Sequence, residues 1–589
     1  MKRLLLLGLL GLPLSHPVLG SAQEKATVFQ IGKADGDYQE FGIAGDYAAF
    51  PRQFPHDVDF VVGQSDARQW PFIQPGPEDG WAGGRPHTFK ITFTLPEVLP
   101  GYYQLVMDFI SAHYAAPPRL TIDINGTQVK RRLPAGNSDA PLTDPKSGKP
   151  FTLEQAIPAA LLHTGTNTIA LVNAEGSWAL YDDLRLESGV PAPAQLARVE
   201  VQGLPWFKRT PEGARRVVKV SVENLAGTAM PAEVAWKLGG QSGSQPFEAG
   251  FGENEVLVPV PDVQEKTTVE LAVKSSAWDV RADATLKPAR KWRVYIVPTV
   301  HTDIGYTDLQ EHVMARHAEN TMQALAMIAK YPDFNWDVET FWQLDCFLRA
   351  HPEKAAEVFQ RLREGRMGLS AFFGNMLTGL CSHEALNRAT LDARNLANKG
   401  GFPFQSVILD DVPAALGSLP MVLANSGIKY FIEGVNGDRA PYATQGLHNP
   451  FYWEGPDGSR VLCHIAGGYG MAGGLVSSVE RAAEALPGYL ASHDNADYPY
   501  DAVLVNGAFS DNQGVASWLP EVVEKWNTEW EYPKLILGRP EDFFGYIEKN
   551  FTDRIPVLKT DFGGWWEDGA GSTALETALC RRAEERAVT

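Results

Sequence analysis

The sequence predicts a multidomain protein, β-sandwiches followed by an α/β domain, on three observations. Its 589 residues exceed what one hydrophobic core usually organises, so roughly two to four domains are expected. Up to about residue 290 the chain reads as short alternating segments between Gly, Pro, Asn and Asp turns, which is the signature of sandwiches. From Arg293 onward strands alternate with helical stretches, a pattern that builds a parallel sheet, open or closed into a barrel.

Met1-Lys-Arg and the apolar run Leu4–Leu14, followed by the small residues Gly20, Ser21 and Ala22, have the form of a secretory signal over residues 1–22. The run is too short to cross a bilayer, so the expected location is periplasmic or secreted, with no membrane span. Residues 26–189 carry strands at 89–95, 103–109, 120–124, 167–172 and 181–186, read as one β-sandwich that closes at the Pro/Ala hinge Val190–Ala194. Residues 195–290 carry strands at 216–222, 232–238 and 267–273 and suit a small immunoglobulin-like sandwich. Beyond it, strands are expected at 293–298, 335–340, 367–373, 406–411, 428–433, 501–506 and 534–537, with helices at 353–364 and 382–397 among the intervening stretches.

Charge narrows the partners. With 52 basic against 71 acidic residues the net charge is -19, which repels nucleic acid phosphates and anionic lipid and favours neutral partners such as sugars. Cys346, Cys381, Cys463 and Cys580 have no CxxC spacing; they read as buried thiols or as one or two bridges, and carry no assigned function.

Polar residues collect where the predicted strands of the second half end: His301 and Asp303, Glu339, Asn375, Asp410 and Asp411, Asn436, then Asn506 and Asp511. Carboxyl ends of parallel strands converge on one rim, where such folds place active sites. A His and an Asp one residue apart at a strand end can turn toward one point, which suits a metal or a sugar hydroxyl; the plain alternative is that they cap the next helix. Asp410-Asp411 likewise reads either as a rim carboxylate pair or as a helix start before Val-Pro.

The segment Val297-Pro-Thr-Val-His301-Thr-Asp303-Ile-Gly305-Tyr306 resembles the first motif of glycoside hydrolase family 38, the retaining α-mannosidases. Asp411-Val-Pro-Ala-Ala-Leu-Gly-Ser-Leu-Pro420 and the later Gly427 resemble its nucleophile segment, and spacing back from Pro420 selects Asp411 over Asp410. Further matches are Glu339-Thr-Phe-Trp342, Asn375 before Ser382-His-Glu384, Asn506-Gly-Ala-Phe-Ser-Asp511-Asn512 and Asp561-Phe-Gly-Gly-Trp565-Trp-Glu-Asp568. The likeness runs from residue 292 to the end as an ordered set.

That resemblance implies an α/β (β/α)7-type barrel over 292–575, zinc held by His301, Asp303 and Asp411, and a carbohydrate substrate of α-mannoside type. It also implies Asp411 as nucleophile, Asp568 as acid/base with Glu567 as competitor, and Glu339, Trp342, Asn375, Asp511 and Trp565 around the sugar. The family's first motif His is Thr299 here, and its Phe-Gly-His-type sequence after the nucleophile is Val-Pro-Ala. Residues 576–589 look like the start of the family's helical domain, so the chain is expected to be cut short and a fourth ligand to lie beyond Thr589. His464, on an apolar segment, reads as a core histidine.

Phe29-Gln-Ile-Gly32, Asp57–Trp70 and Tyr181-Asp182-Asp183 resemble the galactose-binding-like module of polysaccharide lyase family 4. Its Trp70, Trp81 and Trp178 could stack on sugars or simply fill the core. Two other readings remain: a metal-dependent polysaccharide deacetylase, and a non-catalytic or truncated carbohydrate-binding protein.

Overall fold

The computed structural model describes residues 25–412, 415–436, 449–509, 511–562, 566 and 568–588; the expected signal segment and Trp565 lie outside them. The chain divides into two compact units, one made of residues up to 203 with 218–258 and 267–286, the other of 204–217, 259–266 and 287 onward.

The first unit opens with a sandwich of two sheets. One orders the strands Ala26–Gly32, Ala179–Val190, Tyr102–Ala112 and Phe151–Pro158; the other orders Val58–Val61, His87–Leu95, Gly165–Glu175, Arg119–Ile124 and Thr127–Arg132. Strand His87–Leu95 shows why: His87, Phe89, Ile91, Phe93 and Leu95 are buried and the residues between them are not, the period-2 pattern of a strand with one face in a core. Trp70 and Trp178 lie within that core, so of the two readings the core one holds for them: a ring sealed between two sheets has no face to offer a sugar. A four-stranded antiparallel sheet of Gln241–Ala249, Met230–Leu238, Thr267–Ser275 and Asp279–Leu286 follows in the same unit.

In the second unit the strands used below are β1 (Arg293–Val297), β2 (Trp336–Val338), β3 (Met367–Leu369), β4 (Ser406–Asp411), β5 (Tyr430–Val435), β6 (Phe451–Glu454), β7 (Arg460–Ala466), β8 (Ala502–Asn506) and β9 (Lys534–Leu537). The helices used below are α1 (Gln310–Lys330), α2 (Phe341–Ala350), α3 (Pro540–Phe551) and α4 (Asp568–Ser572). All six residues of β4 and all five of β8 are buried, as expected for parallel strands covered on both faces. The ranges expected for strands include neither β6 nor β7, which form a hairpin.

Among the described residues the parallel strands form three sheets rather than one closed ladder. The orders are β8-β1-β9, β2-β3 and β4-β5-β7-β6, the last extended by Val557–Leu558. The expected barrel is therefore not closed by strand pairing. Two of the breaks flank β2 and β3, only three residues each, and a few bonds cross them: Asp337 N donates to Pro298 O, Ala371 N to Ser406 O, and Ile408 N to Ser370 Oγ; the third lies between β7 and β8. Helix α3 packs on the sheets through Phe543, edge-on to His464 with ring centroids 5.5 Å apart, and Phe544, stacked on Tyr430. His464 is a core histidine: burial pushes its pKa down to about 3. The four cysteines are unbridged.

Candidate active site

After β1 the chain continues through Val300, bridged in parallel to Phe509, and turns at His301-Thr302-Asp303. Glu339, just beyond β2 and fully buried, fixes that turn with both oxygens. Oε1 lies 2.7 Å from His301 Nδ1, and Oε2 accepts from Thr302 N at 2.6 Å. Asn375, beyond β3, donates to the same Oε1 at 3.0 Å. With Nδ1 bound to a carboxylate, Nε2 is the free face of the ring. It is buried and has no hydrogen-bond partner; Asp303 Oδ1 stands 3.5 Å away and Asp411 Oδ2 3.7 Å away, both longer than a hydrogen bond. Burial depresses the imidazole pKa, but Glu339, Asp303 and Asp411 outweigh it and raise the pKa well above its ordinary value. The pocket thus demands a positive charge at Nε2, which a proton or a metal ion can meet.

Asp411 ends β4 with φ 71°, a left-handed backbone that costs a non-glycine residue about 1–3 kcal/mol. Val407 and Leu409 belong to one hydrophobic cluster, so strict alternation would send Asp411 to that side as well. The positive φ breaks the alternation and brings the carboxylate to the rim. There Asp411 Oδ1 accepts from Asn436 Nδ2 at 2.8 Å and from Tyr469 OH at 2.9 Å. Burial favours the neutral acid, yet His301, Asn436 and Tyr469 together hold the pKa below the usual carboxylate range.

Asp410 lies one residue earlier on β4. It is fully buried and its Oδ1 accepts from Asn506 Nδ2 at 2.8 Å and Gly434 N at 2.9 Å. Burial, reinforced by the charge of Glu339, drives its pKa well up, so the buried carboxyl is held neutral.

Asp511 follows β8. One ligand atom from each of His301, Asp303 and Asp511 lies within 4.8 Å of the others, and Asp511 Oδ1 is buried without a hydrogen-bond partner. Trp342 is half-buried, its ring edge-on to His317 at 6.5 Å. Asp568 is exposed, at the first position of α4. The sequence reading missed Tyr469, whose ring lies 4.7 Å from that of His301, and the bracing residues His317 and Gln343. A glycine-flanked aromatic directly after a buried strand, Gly467-Gly-Tyr469-Gly, was the available signal for Tyr469.

Residues 291–565 match the profile of the glycosyl hydrolases family 38 N-terminal domain. That segment is similar to a family 38 N-terminal domain. Residues 27–186 match a CBM-like profile, polysaccharide lyase family 4, domain III. Human alpha-mannosidase 2C1 is 25% identical over 265 residues, 42% of this chain and 24% of that protein; the chain thus spans about a quarter of that curated relative. An alpha-mannosidase from Enterococcus faecalis V583 is similar at 23% identity and a TM-score of 0.40, over 46% of this chain and 31% of the other. A family 38 protein from Enterococcus faecalis gives 19% and 0.36, over 46% and 29%.

Donor chemistry at this site fits a zinc ion. An imidazole nitrogen with an open lone pair and carboxylates gathered around it are a ligand set zinc accepts. The Glu339 bond to Nδ1 is the outer contact that usually orients a metal-binding His.

Proposed function

We propose that the family 38 domain is a zinc-dependent retaining glycoside hydrolase acting on α-mannosides or related glycosides. The observation that carries this reading is the buried, partnerless Nε2 of His301 facing Asp303 and Asp411. The curated relative's name supports the mannoside part, and the basic, apolar N-terminus supports export. The finer architecture we assign is the family's (β/α)7-type barrel.

His301, Asp303 and Asp411 would hold the ion, which when bound supplies a Lewis acid for sugar hydroxyls. Asp411, kept ionised by Asn436 and Tyr469, attacks the anomeric carbon as the bond to the leaving oxygen breaks, giving a covalent glycosyl-enzyme. A second carboxylic acid protonates that oxygen, then takes a proton from the water that releases the sugar with retained configuration. We assign this role to Asp511 in place of Asp568. Asp511 is gathered with His301 and Asp303 and has an oxygen free of protein partners, whereas Asp568 stands exposed on α4.

The test is metal analysis and hydrolysis of aryl α-mannosides by the full chain, with the first product's anomer read by NMR. Expected results are zinc-dependent turnover with retention, lost in Asp411→Ala. Chelator-resistant activity, or inverted product, overturns the mechanism.

A further inference from the structure

Asn512 occupies an unusual position for a residue with no place in the reaction. Its backbone is left-handed, φ 51°, and it is buried. Its own N–H donates to His301 O at 2.9 Å. Its side-chain oxygen accepts from Asp303 N at 3.1 Å, and its side-chain nitrogen donates to Asp303 O at 3.0 Å and to Thr307 Oγ1 at 2.5 Å. One side chain therefore grips both backbone groups of Asp303, while the same residue's main chain carries the neighbouring Asp511.

Helix α1 braces this grip. His317 Nε2 lies 2.8 Å from Asn512 Oδ1, and His317 Nδ1 lies 3.0 Å from Gln343 Nε2. An amide nitrogen can only donate, so Nδ1 is the acceptor and Nε2–H the donor, and the tautomer is fixed. Gln343 is itself held: Nε2 also reaches Val300 O at 3.3 Å, and Oε1 accepts from Thr340 N at 3.1 Å. One turn along α1, Asn320 Nδ2 donates to Gln513 O at 2.8 Å. Buried polar networks with every member satisfied fix one geometry, because any other arrangement strands a buried donor or acceptor.

We propose that Asn512, braced by His317, is a positioning residue that sets Asp303 and Asp511 relative to each other, so that the metal-binding carboxylate and the acid/base are registered by one bracket. This rests on the reading of the site given above. Asn512 touches neither sugar nor metal; it acts through the turn on one side and the chain of Asp511 on the other.

Two variants of the full chain test it, Asn512→Ala and His317→Leu, with His317→Gln as the conservative partner because a glutamine amide can still donate to Asn512 Oδ1. Zinc affinity is measured with Zn2+ alone by chelator competition, thermal stability is measured after metal removal, and kcat is measured on aryl α-mannosides of graded leaving-group pKa. Expected outcomes are zinc binding weakened about 10–100-fold in Asn512→Ala and His317→Leu, largely recovered in His317→Gln. The loss in kcat should steepen as the leaving group becomes poorer, since a displaced acid matters most there. A merely structural role would lower metal-free stability and leave both the zinc constant and the leaving-group slope unchanged. That result in His317→Leu overturns the proposal, even if Asn512→Ala does not fold. If the wild-type protein binds zinc but cleaves no α-mannoside, the functional reading falls and the bracket is still judged by the zinc constants.

Discussion

Trp206 tests where the catalytic unit begins. It sits in the strand Ala197–Thr210, well before the matched segment starts at 291, yet residues 204–217 belong to the same compact unit as that segment. Trp206 is 2% exposed and edge-on to Trp526 at 5.3 Å and to Trp530 at 5.1 Å, which stack on each other at 5.5 Å. Phe207 pairs with Tyr532 beside them. Truncating a buried Trp to Ala costs about 3–5 kcal/mol, and two edge-to-face pairs place Trp206→Ala in the upper half of that range. In a unit of this size about 4 kcal/mol corresponds to a melting temperature lower by roughly 10 °C. Trp206→Phe should cost about 1 kcal/mol, because Nε1 has no hydrogen-bond partner to lose. Arg209→Ala should cost about 0–1 kcal/mol, because its pair with Glu531 is largely exposed. Scanning calorimetry, with near-UV circular dichroism to follow the Trp cluster, reads all three. A Trp206→Ala melting temperature within about 2 °C of wild type, or a fragment starting at 291 as stable as the full chain, would refute the reasoning.

Four further outcomes follow from the site. His301→Ala and Asp303→Ala should each remove most bound zinc from the full chain by metal analysis, since both ligands come from one short turn; full occupancy in His301→Ala sinks the zinc assignment. A 2- or 5-fluoro glycosyl fluoride should label Asp411, and peptide mapping that finds the label on Asp410 would overturn the nucleophile. Asp410→Asn should keep the bonds from Asn506 and Gly434 and melt within a few degrees of wild type, whereas Asp410→Ala, leaving those buried donors bare, should lose about 1–3 kcal/mol; equal melting of the two would contradict the buried neutral carboxyl. Asp337 is fully buried and neither carboxylate oxygen has a hydrogen-bond partner; burial, then Glu541, raise its pKa well above normal against the pull of Arg539. A folded-state pKa above the unfolded one means stability that is complete below the unfolded value of about 3.9 and lost as pH rises through the folded value. Asp337→Asn should therefore gain stability at neutral pH and little near pH 4, and a gain independent of pH would falsify this.

What could be read from sequence follows how local the signal is. His301, Asp303 and Asp411 stood out because each ends an apolar strand abruptly, and strand ends of a parallel sheet share a rim. The direction of Asp411 was not legible: period-2 alternation placed Asp410 and Asp411 on opposite faces, and a single left-handed residue brings both inward, one ionised at the rim and one neutral beneath it. The Trp206 contact could not be seen either, because it joins residues more than 300 positions apart and Trp206 obeys the alternation of its own strand wherever that strand docks.

The acid/base assignment shows the same limit from the other side. The resemblance implies Asp568, within a motif rich in tryptophan and acid, and a motif match says nothing about distance. Asp511 carries no stronger local signal, but Asn512 after it is bonded at three points to the turn that holds Asp303, and that forces the Asp511 segment against the metal-binding turn. A carboxylate whose chain neighbour is tied by hydrogen bonds to the proposed metal-binding turn is the acid we propose, because the proton it gives must be delivered to a sugar held at that same point.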